Sequence, residues 1–337
     1  MKFFASLLLI LSLTFCSSNK PNAGISAEPS SSTSVSDVPK IQLGFNAKGS
    51  LQTSQQVALT DKMLEKLSNS VKENLHIRVN GGTRSQKEMP SEWSNEQVKA
   101  WADLSKKHGV QLVYVVNGSD TPKSQRAFIQ KWIDAGASFS FIEMMNEYYL
   151  PKFRKGDTSK EEVSRQITPE YYANEMLSTF IDELKTLNLP LFLICAPEKS
   201  GKVADIMTDW NRVITKAVSK YKDVQIGVTI HLYLKGNENF NYNQINKLRE
   251  MLPAGTPIAI TEAGVINPNL SSENEGKAVL NHYVKIASQL KTGDYLFDQV
   301  LYTNYKKTAA ATLHPNSNGL TPKGEQVVKF MKEMYPD

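Results

Sequence analysis

A single (β/α)8 TIM barrel of the α/β class is the fold this sequence predicts. Eight strand-length apolar runs recur between residues 41 and 305, and helical segments with start and stop signals separate them. The roughly 295 residues that carry this alternation suit one such barrel. The alternative, a doubly wound open sheet, calls for a glycine-rich turn after the first strand. GFNAKGS (44–50) is no such fingerprint.

The apolar runs are IQLGFN (41–46), LHIRVNGG (75–82), VQLVYVVNG (110–118), FSFIEMMNE (139–147), LPLFLICAPE (189–198), VQIGVTIHLY (224–233), PIAITEAG (257–264) and QVLYTNY (299–305). They are rich in β-branched residues, and several are apolar on both faces, as strands covered on both sides should be. Between them, Thr60 and Asp61 open a helix running to Glu73. Ser94 with Gln97 makes a capping box, and Gly109 marks the end of that helix. Further helices are expected over 121–135, 170–188, 201–222, 240–252, 272–292 and 321–335, the last opening on Thr321-Pro322.

Composition excludes some classes of function. The chain has 337 residues, 40% hydrophobic and 22% charged, as in ordinary globular proteins. A net charge of +5, evenly spread and without a helix-turn-helix, zinc-finger or RNA-recognition motif, argues against nucleic acid as a partner. Five scattered histidines argue against a zinc site, and no metal or cofactor is expected. A monomer is expected.

Residues 1–16, MKFFASLLLILSLTFC, carry one lysine and then an apolar stretch too short to span a bilayer and the right size for an export signal. The stretch ends on Cys16 and resembles a bacterial lipobox, with Phe15 where a small residue is usual. That resemblance implies lipidation of Cys16 and tethering to a membrane of the cell envelope; simple secretion is the alternative. Residues 17–39 are rich in Ser and Pro and read as a flexible tether, leaving 40–337 for the barrel. Cys195, in an apolar run, reads as a buried thiol.

Functional side chains of a barrel stand at the C-terminal ends of its strands. Reading each run to its end gives Asn46, Arg78 with Asn80, Gly81 and Gly82, Asn117, Asn146 and Glu147, Glu198, His231 and Tyr233, Glu262, and Tyr302 with Asn304. Glu147 and Glu262 end the fourth and seventh runs, so their carboxylates can converge across the mouth. Two convergent carboxylates are what glycoside hydrolysis needs: one protonates the leaving oxygen, the other attacks or stabilises the anomeric carbon. Glu143 shares the strand parity of Glu147 and is expected inside the barrel as a buried carboxylate with a partner. Glu198 reads as a loop residue. Asn46 reads equally as a turn residue and as a supporting one.

In their order and strand positions these residues resemble clan A, the large clan of retaining (β/α)8 glycoside hydrolases. There the acid/base glutamate follows an asparagine at the end of strand four, as Glu147 follows Asn146. The nucleophile ends strand seven after a threonine, as in ITEAG with Glu262. His-x-Tyr on strand six matches His231 and Tyr233, and an arginine ending strand two matches Arg78. RVNGGT (78–83) is similar to the Arg-x-x-Gly-Gly of the arabinofuranosidase-like and heparanase-like (β-glucuronidase) branches. EMMNE is similar to their Glu-x-Gly-Asn-Glu, with Met145 where glycine is usual. At the end of strand eight, where clan members carry tryptophan, this chain has LYTNY with Tyr302.

The resemblance implies a retaining glycosidase acting on an oligo- or polysaccharide. Glu147 would be general acid and then base, and Glu262 the nucleophile. Arg78 would sit beside Glu262 and favour its charged form, Tyr233 would donate to the same carboxylate, and Asn146 would reach a sugar 2-hydroxyl. His231 would orient either carboxylate, and Asn46 and Tyr302 would support the substrate. Tyr148, Tyr149, Trp93 and Tyr242 are candidates to line the cleft, Tyr148 and Tyr149 alternatively packing beneath it; Trp101, Trp132 and Trp210 fall in helices and read as core. Lys152, Arg154 and Lys155, with Arg84 and Lys87, raise an acidic glycan as substrate, against the plainer reading of a solvated loop. A non-catalytic carbohydrate-binding lipoprotein on the same barrel is the alternative function.

Overall fold

Parallel strands must be joined by crossovers, and this chain supplies a helix for each. The computed structural model describes residues 34–47, 53–79, 81, 93–150, 168–200, 203–204, 206–236, 239–266, 271–298 and 319–337. Its barrel strands are β1 (Gln42–Asn46), β2 (Leu75–Val79), β3 (Gln111–Val115), β4 (Phe139–Met144), β5 (Leu191–Ile194), β6 (Ile226–Lys235), β7 (Ile258–Ile266) and β8 (Tyr295–Asp298). Each pairs in parallel with the next, and β8 returns to β1, so the sheet closes. The fold is the expected (β/α)8 barrel.

The helices are α1 (Thr53–Leu64), α2 (Asn95–His108), α3 (Pro122–Asp134), α4 (169–187, with a π-helical turn at Tyr172–Met176), α5 (Ile206–Lys220), α6 (Gln244–Glu250), α7 (Ser272–Ala287) and α8 (Pro322–Met334). Both bonds of the capping box at α2 are present: Ser94 N–H donates to Gln97 Oε1 at 2.9 Å and Gln97 N–H to Ser94 Oγ at 3.2 Å. Gly109 closes that helix in the left-handed region. Outward-facing strand residues such as Phe45, Ile77, Tyr114 and Ile142 join buried Trp101, Trp132 and Trp210 of the helices in one apolar layer.

A second, smaller apolar cluster fills the inside of the barrel. Phe141 of β4 stacks on Phe192 of β5 at 4.1 Å, and Phe297 of β8, Val113 and Ala259 complete it. Gly44 of β1 makes room for this plug, because a Cβ there would overlap the Phe297 ring. The plug is the floor on which the polar residues nearer the strand ends stand.

Three expectations are corrected. The strand that closes the barrel is Tyr295–Asp298, ahead of the run at 299–305, which lies outside the described residues with Tyr302. A four-residue strand that follows Asp294 and ends on Asp298 carries too little apolar signal to stand out. The first helix starts at Thr53, and Thr60 lies within it, its hydroxyl donating to the carbonyl of Gln56 at 2.8 Å instead of capping. Val35 and Val38 are buried in the core, so the folded part takes in the end of the Ser/Pro-rich stretch.

Gly44→Ala should lower the unfolding free energy by about 1–3 kcal/mol, because the plug has no slack for a methyl group. Urea denaturation followed by far-UV circular dichroism measures this, and an unchanged midpoint would contradict the packing described.

Candidate active site

A guanidinium can be buried only if its N–H groups find acceptors. Arg78, the fourth residue of β2, points into the barrel and is fully buried. Its Nε and Nη2 grip Glu143 of β4 at 2.6 and 2.8 Å. Its Nη1 donates to Glu262 Oε1 at 2.8 Å and to Asn46 Oδ1 at 2.6 Å, and Nη2 also donates to Asn146 Oδ1 at 3.0 Å. Five donors thus meet five acceptor contacts. Gly81 lies over this group, and a Cβ there would collide with the guanidinium.

Glu262 stands on β7, where a bulge against β6 sets His231 opposite it. The phenol of Tyr233 donates to its Oε2. Asn46 is not a turn residue. Its Nδ2 donates to the carbonyls of Thr261 at 2.6 Å and Asp298 at 3.0 Å, tying β1 to β7, the strand of the nucleophile candidate, and to β8 beside it.

Glu147 reaches the same place from beyond β4. Met145 and Glu147 both have positive φ, 72° and 47°, so the chain reverses twice within three residues. Met145 therefore occupies, as methionine, a conformation that glycine takes freely, which accounts for glycine at this position in the clan the sequence resembles. The Nδ1 of His231 lies 3.1 Å from Glu147 Oε1 and 3.9 Å from Glu262 Oε2. Those two carboxylate oxygens are accordingly no more than about 7 Å apart.

No protein-family model matches the chain, and no curated protein matches it in sequence. Solved structures do match. An endo-1,4-β-xylanase from Caldicellulosiruptor owensensis is similar with a TM-score of 0.53 at 10% identity, over 86% of this chain and 96% of that one. A 4-O-α-L-rhamnosyl-β-D-glucuronidase from Fusarium oxysporum 12S is similar with a TM-score of 0.53 at 13% identity, over 87% of this chain and 68% of that one. An exo-β-1,4-mannosidase from Opitutaceae bacterium strain TAV5 gives 0.52 at 12% identity, over 88% and 60%. What they share with this chain is the barrel.

The charges inside the barrel offset one another. Burial by itself disfavours the charged form of His231, but Glu262, Glu143 and Glu147 outweigh it and push its pKa up to about 9. The imidazole is thus protonated at neutral pH and donates Nδ1–H to Glu147. Burial would likewise raise the Glu143 carboxyl, yet the Arg78 charge, the nearby His231 imidazole and the hydrogen bonds from Arg78 hold it below the usual range. Burial opposes the Arg78 charge, and Glu143 and Glu262 more than restore it. Burial and the nearby carboxylates raise the Tyr233 phenol well above its ordinary value, so it stays a donor.

Seven of the eight expected catalytic and supporting residues, Glu147, Glu262, Asn146, Arg78, His231, Tyr233 and Asn46, meet in this cluster, and the eighth, Tyr302, lies outside the described residues with Cys16. Glu198 is held in a different place, by Asn241 at 2.8 Å and Lys247 at 2.9 Å. Tyr148 and Tyr149 are buried beneath the mouth, Tyr148 stacking on Tyr172 and Tyr149 packing edge-on against Trp210. Tyr149 has a role that went unseen: its hydroxyl donates to Glu147 Oε1 at 3.2 Å. Trp93 packs on Trp132, and Tyr242 bonds to His282. The basic residues of 82–92 and 151–167 are outside the described residues.

Protonation of His231 makes stability depend on pH. The folded chain holds this proton up to about 9 and the unfolded chain only to 6.5, so the contribution is complete below 6.5 and lost as pH rises through about 9. On the acid side burial keeps His76 and His282 neutral, with pKa values lowered to about 3 and about 4, so stability falls as pH drops below 6.5. Chemical denaturation across pH should show a maximum near neutrality and an alkaline loss on the order of 3 kcal/mol. His231→Asn should flatten the alkaline limb; an unaltered limb would mean that another group drives it.

Proposed function

We propose that the chain is a retaining glycoside hydrolase acting on O-glycosidic bonds of an oligo- or polysaccharide, with Glu147 as acid/base and Glu262 as nucleophile. The observation that carries this reading is the meeting of Glu147 and Glu262 on one His231 nitrogen, with Glu262 further bound by Arg78 and Tyr233. Retaining pairs stand about 5–5.5 Å apart and inverting pairs about 6.5–9.5 Å. A limit of about 7 Å between these two oxygens takes in the whole retaining range and only the foot of the inverting one.

In the first step a Glu262 oxygen attacks the anomeric carbon, the bond to the leaving oxygen breaks, and Glu147 gives that oxygen its proton. A glycosyl ester on Glu262 results. In the second step Glu147, now ionised, takes a proton from water, the water oxygen attacks the same carbon, and Glu262 leaves as a carboxylate. Arg78 and Tyr233 offset the charge that returns to Glu262. With all five donors engaged inside the protein, Arg78 orients the nucleophile and does not bind a substrate carboxylate. Export and a lipid anchor on Cys16 belong to this proposal and rest on the N-terminal sequence; a monomer is proposed.

A mechanism-based covalent glycosidase inhibitor followed by peptide mapping tests the assignment, with an adduct on Glu262 as the expected result. Glu262→Ala should abolish turnover. Glu147→Ala should lose natural substrates while hydrolysing aryl glycosides whose leaving groups need no proton. No labelling, together with no hydrolysis across a broad glycan panel, would sink the enzyme reading in favour of carbohydrate binding alone.

A further inference from the structure

Glu143 is the one carboxylate of the cluster that takes no step in the proposed reaction. It is fully buried on β4, where an isolated charge would be strongly disfavoured, so its partners define what it does. Arg78 binds it through one whole edge, Nε to Oε2 and Nη2 to Oε1. Thr261 Oγ1 donates to Oε1 at 3.4 Å, and His231 Nε2 faces the same oxygen at 3.6 Å. A guanidinium is a rigid planar fork. With the Nε–Nη2 edge on Glu143, Nη1 alone reaches Glu262, through a single bond. A fork released from Glu143 could turn an edge to Glu262 and take both of its oxygens. The imidazole is equally rigid: with Nε2 toward Glu143, Nδ1 is the atom that faces Glu147.

Resting on the glycosidase reading, we propose that Glu143 is a positioning residue for both working carboxylates, holding one edge of Arg78 and facing one nitrogen of His231. It thereby selects the atoms of the two cations that meet Glu262 and Glu147. Glu143 itself touches no reacting atom. Among the described residues, the other charged or titratable groups around His231 are Glu147 beyond β4 with Tyr149 on the same oxygen, Glu262 on β7 bonded to Tyr233 of the strand that carries His231, and Arg78 of β2 behind Glu143.

Glu143→Gln preserves the volume and removes the charge. The kcat on an aryl glycoside should fall about 10- to 100-fold with KM within about twofold, as for a misplaced nucleophile. The His231 imidazole, followed by NMR without substrate, should titrate about one pH unit or more below its value of about 9. Glu143→Asp keeps the charge but draws the carboxylate back by one methylene. It should retain most of the His231 titration and still lose rate, and it decides the matter if the glutamine variant does not fold. Variants that melt earlier but keep kcat and the His231 titration would overturn the proposal and leave Glu143 a structural ion pair. The titration requires no turnover, so an unmoved His231 counts against the positioning role, whereas an inactive parent chain counts against the glycosidase reading.

Discussion

Burying one guanidinium imposes most of what is distinctive about this barrel. Arg78 must satisfy five N–H donors away from water, and the acceptors come from four places in the chain: Asn46, Glu143, Asn146 and Glu262. Strands β1, β2, β4 and β7 are therefore held in register at the mouth by polar bonds as well as by the aromatic floor. Such a group is costly to break, because removing one member leaves its partner buried and unpaired, typically at about 3–5 kcal/mol. An apolar core of the same volume would be no less stable. Retaining the charges makes sense if the geometry they impose is used.

The arithmetic of charge points the same way. Glu143 and Glu262 offset Arg78 and His231, so the net charge of the buried group rests on Glu147. The group is neutral when Glu147 carries a proton and singly negative when it does not. In the proposed reaction Glu147 gives up its proton as Glu262 loses its charge to the glycosyl ester, and both changes reverse in the second step, so the group stays neutral while Glu143, Arg78 and His231 keep their charges. His231 lies within 4 Å of carboxylate oxygens from all three glutamates, so it registers each change in their charge most directly.

Much of this was legible in the residues, and what was not has physical causes. Strand-end positions in a closed parallel barrel converge, so reading each apolar run to its last polar residue located Arg78, Glu147, His231, Tyr233 and Glu262. Parity placed Glu143 inside the barrel. Its partners were not legible, because nothing local couples residues 78, 143 and 231, and the pairing follows from strand order and stagger. Strand β8 was misplaced because its aspartates interrupt the apolar signal. One of them, Asp298, is compensated by Lys323 at 2.7 Å from the start of α8, a partner that only the folded chain brings near. The Tyr149 contact with Glu147 was hidden for a related reason: an aromatic ring two residues beyond a strand end reads as cleft lining or packing, and its hydroxyl direction depends on the turn.

That turn explains the unusual ending of β4. Glu143 and Glu147 have the same strand parity, and a straight strand would set them about 13 Å apart along its own direction. One imidazole nevertheless lies between them, with Nε2 3.6 Å from Glu143 and Nδ1 3.1 Å from Glu147. The chain must therefore double back between the two glutamates, and positive φ at Met145 and Glu147 does this. For residues other than glycine that conformation costs about 1–2 kcal/mol each. The surroundings hold it in place: Met145 N–H donates to the carbonyl of Glu143 at 3.0 Å, the Tyr172 hydroxyl to that of Met144 at 2.7 Å, and Leu150 N–H to that of Glu147 at 2.8 Å. Glycine at 145 would relieve the strain and leave unfilled the space that the methionine side chain, fully buried, now occupies. Met145 is thus a substitution of packing for backbone freedom that still delivers Glu147 to His231.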